Sequence, residues 1–154
     1  LNDDLRKQLS TIPTGDGLIF PCLATFEDAS EQDRVFLAHS EEWIKRWGVW
    51  PEDDKGKQSV DVRAIASIRE SPTRLPAKFA AEIYKAGESG MGYCLFKVMF
   101  ADGSEQAYSS GNAVDFIDYP MGQSPSTVIG VVPHAGRTDT TRRHAPDYTW
   151  CLFK

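Results

Sequence analysis

From Tyr93 to Phe100 this chain alternates without a break. Cys94, Phe96, Val98 and Phe100 fall on one face, and Tyr93, Leu95, Lys97 and Met99 on the other. Successive side chains of an extended strand point to opposite faces, so this period of two specifies a strand. Asp102-Gly103 follows at once. That dipeptide suits the two positive-φ positions of a type I′ turn, which predicts an antiparallel return through Glu105 to Tyr108.

The rest of the chain supplies shorter signals. Leu1, Leu5, Leu9 and Ile12 recur at near-helical intervals behind Asn2-Asp3-Asp4, and Pro13 closes the segment, so a short amphipathic helix is expected. Residues 18–26 read as a strand in which Pro21 marks an edge or a bulge, and residues 34–38 as another. Ser40 with Glu41 and Glu42 predicts a helix capped by Ser40 and stopped by Gly48. Residues 60–68 form a third strand broken near Ala64. Pro76 opens the best helix, whose stripe of Phe79, Ala80, Ile83 and Tyr84 ends at Gly87. Residues 113–119 are a strand or one helical turn, 128–132 a buried strand and 148–153 a terminal strand. The polar stretch 134–147 is a surface loop. Strands outnumber helices and the clearest pair is a hairpin. The expected fold is therefore α+β: one mainly antiparallel curved sheet, or a small open barrel, of about six or seven short strands with two or three short helices packed on it.

A chain of 154 residues with no internal repeat or linker is expected to be a single domain spanning residues 1–154. Its formal net charge of -5 argues against general nucleic-acid binding, which needs a basic field. Cys22, Cys94 and Cys151 each lie in an apolar run and show no C-x-x-C spacing, so free buried thiols are expected, with no metal and no cofactor. A reducing cytoplasmic setting is the simplest match. No apolar run reaches the ~20 residues of a membrane span.

The loop Gly87-Glu88-Ser89-Gly90-Met91-Gly92 is the first candidate site, because its glycines let a ligand approach the backbone. It leads from a helix into a strand, the reverse of a phosphate loop, and no Gly-Lys-Ser/Thr follows. A plain helix stop and turn is the alternative reading. Gly87-Glu88-Ser89-Gly90 resembles the Gly-Asp-Ser-Gly around the nucleophile of trypsin-like proteases over four residues only. A nucleophile elbow needs Gly where this chain has Met91, and a trypsin-like arrangement needs more chain ahead of the serine. A triad could still arise from His39 or His134 with Asp102 or Asp115, since triads are defined by geometry.

His134 and Arg137, with Arg142, Arg143 and His144 beyond them, form the second candidate, a forked anion site or simply a solvated loop. The third is Trp43, Trp47 and Trp50, whose spacing suits one side of a helix and either a partner-binding patch or core packing. Asp115 and Asp118 form a carboxylate pair only if their segment is helical. Glu88, Ser89, Asn112, Asp115, His134 and Arg137 are thus the expected ligand-binding set. The expected function is binding, to a protein partner or a small anionic ligand. The competing expectations are a small hydrolase using Ser89 or Cys94 with His134, and an anion or nucleotide sensor built on the glycine loop and Arg137.

Overall fold

The computed structural model describes residues 1–154. It gathers them into two compact units, one made of Leu1–Pro72 with Asp147–Lys154 and the other of Thr73–Pro146. The chain is α+β, with three helices and two mixed sheets. The expected single curved sheet or open barrel is therefore corrected to two open sheets. The expected antiparallel character is corrected to mixed, because three short strands pair in parallel. Each strand's own alternation sets which face is buried but does not choose its neighbour.

In the first unit, β1 (Ile19–Phe26), β2 (Glu31–His39), β3 (Gln58–Ser59), β4 (Ile65–Glu70) and the late strand β9 (Thr149–Phe153) lie in the order β3-β9-β2-β1-β4. Pro21 sits inside the sheet and not at its edge. It pairs with Phe36 of β2, while the pairing with β4 begins only at Cys22, so the missing N–H disrupts no ladder bond on that side. A register shift between Cys22 and Ala24 places an extra residue in β2, where Arg34 takes a φ of 57°. The strand expected over 60–68 is corrected: Val62–Ala64 form a single 3-10 turn and only the part from Ile65 onward is strand, as β4, while β3 ends before residue 60.

This sheet is covered on both faces. The helix α1 (Asp3–Leu9) is capped by the Asn2 side chain, which accepts the Leu5 N–H. It packs Leu5 and Leu9 with Val35, Leu37, Ile68 and Cys151. On the opposite face Phe36, Tyr148 and Trp150 meet in ring contacts, and α2 (Ser40–Trp47) adds Trp43 and Trp47. His39, not Ser40, holds the cap position and its side chain accepts no backbone N–H there, whereas Gly48 ends the helix in the left-handed region as expected.

The second unit holds α3 (Ala77–Ala86), the hairpin β5 (Cys94–Phe100) and β6 (Glu105–Ser110), β7 (Val128–Pro133) and β8 (Arg143–His144), in the sheet order β7-β5-β6-β8. Cys94, Phe96, Val98 and Phe100 all point into the core with Leu75, Phe79, Ile83 and Tyr108. The hairpin turn differs from the type I′ expectation. Gly103 has a φ of 86° but Asp102 is not in that region, and the bonds Gly103 N–H to Phe100 O and Phe100 N–H to Ser104 O describe a three-residue loop closed by a glycine bulge. Asp102 instead accepts from the Ser104 amide and hydroxyl. The segment 113–119 is neither strand nor helix: one bridge from Phe116 to Arg74 anchors it, yet Ala113 to Ile117 are all buried. In β7 only Val128 and Val131 are buried, so the strand is an edge with Ile129 outward, not a buried strand.

All three cysteines are free and buried, and burial pushes the Cys151 thiol up to about 12. The native protein at about pH 8 is accordingly expected to leave an aromatic disulfide reagent unreduced, and all three thiols to react once denaturant is added. A thiol that reacts within seconds in the folded protein would contradict these positions.

No helix is long and apolar enough to cross a membrane.

Candidate functional site

In the second unit, the turn that follows α3 and the end of β7 bring Ser89 and His134 together. Gly87 ends α3 with a φ of 78°. The chain is then folded tightly by the bonds Ser89 N–H to Tyr93 O and Gly92 N–H to Glu88 Oε2. A Cβ at Gly90 would fall 2.2 Å from the Tyr93 ring, so the ring lies directly over that glycine. Ser89 Oγ stands 2.8 Å from His134 Nδ1 and accepts the Leu95 N–H at 2.8 Å.

His134 itself has a φ of 57°, a conformation that costs a non-glycine residue energy and persists only when neighbours enforce it. Three bonds enforce it here. Its amide donates to Leu95 O at 2.7 Å, Nδ1 meets Ser89, and Nε2 lies 2.9 Å from the Ala86 carbonyl. A carbonyl oxygen only accepts, so Nε2 carries a proton, and in that tautomer Nδ1 is the lone-pair nitrogen that faces the serine hydroxyl. Arg137 completes the cluster. Its guanidinium donates to the Tyr93 hydroxyl and to the Ser89 carbonyl, each at 2.9 Å, and lies over the Tyr93 ring.

The remaining expected residues are placed elsewhere. Asp115 is fully buried in an ion pair with Arg74 and accepts the Tyr84 hydroxyl, so it faces no ligand. Asn112 has its Oδ1 buried without a partner. Cys94 lies in the core. Neither Asp102 nor Asp115 meets His134, whose second nitrogen is held by main chain. The three guanidiniums do not converge: Arg142 donates to the Gly136 and Arg137 carbonyls, and Arg143 pairs with Asp118. His144 meets Ser109 Oγ at 2.6 Å. Tyr93, the Leu95 amide and the Ala86 carbonyl were not legible as site groups, because main-chain partners leave no trace in residue type.

The first unit contains a concave site of about 530 Å³ at the end of β9. The tryptophans divide between core and surface there. Trp43 is completely buried and does not line the cavity. Trp47 stacks on it with centroids 5.2 Å apart, Trp50 at 6.4 Å, each within 13° of parallel. Trp50 remains 38% exposed and forms one wall of the cavity. Val60, Val62, Leu152 and Phe153 supply further apolar lining, and Glu52, Asp61 and Lys154 supply charge. The side-chain hydrogen bonds from the Arg63 guanidinium hold the Asp61 carboxyl down to about 2, so at neutral pH Asp61 is ionised and paired with Arg63. Of these lining residues, Trp50 was a candidate in the sequence. The valines and Phe153 were not, because a cavity wall and a core strand have the same composition.

Comparison with models of known families, with curated proteins and with solved structures finds no match to this chain.

Proposed function

We propose that this chain is a binding module, and that the cavity beside Trp50 receives an extended peptide segment of a protein partner carrying a basic side chain. The observation that carries this reading is the cavity itself, walled by an exposed tryptophan whose orientation is fixed by stacking on a buried one. Its volume falls within the range of about 300–1,000 Å³ usual for ligand sites, and a pre-positioned indole loses little entropy when it is covered. Three features favour a basic peptide. Glu52 and the Arg63-paired Asp61 line the same cavity as the Trp50 indole, so a cation received there would meet both carboxylate and ring. The first unit also carries fifteen acidic and ten basic side chains, which is the whole of the formal charge of -5, and that field attracts basic partners. Ser59, at the cavity, belongs to the two-residue edge strand β3, whose outer side pairs with no other strand and offers main-chain groups to an extended segment.

The test is a titration with a short peptide containing arginine and an aromatic residue, followed by tryptophan fluorescence. Trp50→Ala is expected to weaken binding about 30-fold, the effect of losing a central aromatic anchor. Added salt should weaken it further. Equal affinity in Trp50→Ala, or equal affinity for the same peptide with glutamate in place of arginine, would overturn the reading.

A further inference from the structure

Ser89 and His134 lie in the other unit and take no part in the cavity beside Trp50. We infer that they form a nucleophile–base pair that transfers an acyl group from an anionic ester. Four observations lead there. The imidazole has its tautomer fixed by the Ala86 carbonyl, so the only ring nitrogen able to accept a proton is the one 2.8 Å from Ser89 Oγ. Ala86 is the last residue of α3, and its carbonyl belongs to the negative end of that helix, so an imidazolium formed during reaction is favoured where it arises. The Leu95 N–H already points at Ser89 Oγ and stabilises the charge that grows on the oxygen as its proton leaves. The positive φ of His134 is held by contacts to α3, β5 and Ser89 alike, which is the over-determination expected where strain sets a geometry.

Arg137 sets the substrate class. Two of its N–H groups are occupied, by Tyr93 and by the Ser89 carbonyl, which leaves three of the five donors of a guanidinium for a carboxylate or phosphate on the substrate. The Tyr93 ring and the Ser89 carbonyl hold that guanidinium beside the nucleophile. In the step, the Ser89 hydroxyl proton passes to His134 Nδ1 as Oγ bonds to the ester carbonyl carbon. The tetrahedral adduct then expels its alkoxide, which takes the proton from Nδ1. An acyl-Ser89 remains, and water reverses the sequence to release the acid.

The test uses the whole chain with a fluorophosphonate reagent, which phosphonylates an activated serine with loss of fluoride, and locates the adduct by peptide mass mapping. One adduct at Ser89 is expected, and none in Ser89→Ala. His134→Asn is the informative variant, because asparagine tolerates a φ of 57° and the fold survives. Its labelling at Ser89 should be slower by about 100-fold or more, with the pH dependence of the rate lost. Hydrolysis of p-nitrophenyl succinate should exceed that of p-nitrophenyl acetate, and Arg137→Gln should bring the ratio of the two rates close to one. Unlabelled Ser89, adducts scattered over exposed hydroxyls, or an unchanged rate in His134→Asn would each overturn the assignment.

Discussion

Replacing Asp115 by alanine is expected to remove about 3–5 kcal/mol of folding stability, the cost of leaving a buried charge without its partner. Asp115 has no exposed surface and Arg74 only 2%, and their nearest atoms are 3.0 Å apart. The pair ties together segments that carry no regular structure of their own. Arg74 Nε donates to Leu75 O, the Leu75 amide donates to Asp115 O, and the Tyr84 hydroxyl donates to Asp115 while accepting the Val114 N–H. Deleting the carboxylate therefore takes from a buried guanidinium and a phenol the acceptor they share and loosens the irregular stretch 113–117. Domains of this size hold only about 5–15 kcal/mol in total, so the urea midpoint should fall by about a fifth or more. Asp118→Ala, which removes an exposed partner of Arg143, should change stability by less than about 1 kcal/mol. Replacing Arg74 and Asp115 together with methionine and leucine should recover much of the loss. A single Asp115→Ala variant as stable as Asp118→Ala would show that the pair contributes nothing net.

The same residue shows where reading the sequence stops. Asp115 drew attention as a charge near a candidate cleft, but whether a carboxylate serves a ligand or a core depends on Arg74, 41 positions away, and residue type alone does not reveal that partner. The hairpin was legible because its information is local: alternation chose the buried face, and Phe96, Val98 and Phe100 are fully buried. The turn was misread because Asp-Gly suits two hairpin loops, and the ladder registered the strands one residue wider. Sheet order was illegible for a different reason. β9 enters its sheet between β3 and β2 from the far end of the chain and pairs in parallel on both sides, a non-local choice that alternation cannot encode. For the Ser89 cluster, the sequence supplied serine, histidine and arginine. The carbonyl that fixes the tautomer and the amide that faces the hydroxyl came only with the fold.

Trp43→Ala is expected to cost the first unit about 3–5 kcal/mol, the usual loss for a large aromatic removed from a core. The ring is fully buried and makes ring contacts with Trp47, Trp50 and Trp150, and the Lys57 ammonium lies 5.3 Å from its centroid. A cavity of that size among stacked indoles cannot be refilled by small shifts, because the neighbouring faces are flat and the backbones of Trp47 and Trp150 belong to α2 and β9. Trp43→Phe should cost distinctly less than Trp43→Ala. It keeps an aromatic face under Trp47 and Trp50, and it deletes an indole N–H that is buried without a hydrogen-bond partner, a group whose burial opposes folding by about 1–3 kcal/mol. The two variants separate structure from function as well. At temperatures where both remain folded, Trp43→Ala removes the surface that orients Trp50 and should weaken the basic peptide nearly as much as Trp50→Ala, although Trp43 itself is out of a ligand's reach. Trp43→Phe should preserve most of the affinity. If Trp43→Ala stays folded and binds the peptide as tightly as the unaltered chain, the stack does not position Trp50, and the cavity beside it loses its claim to be a preformed site.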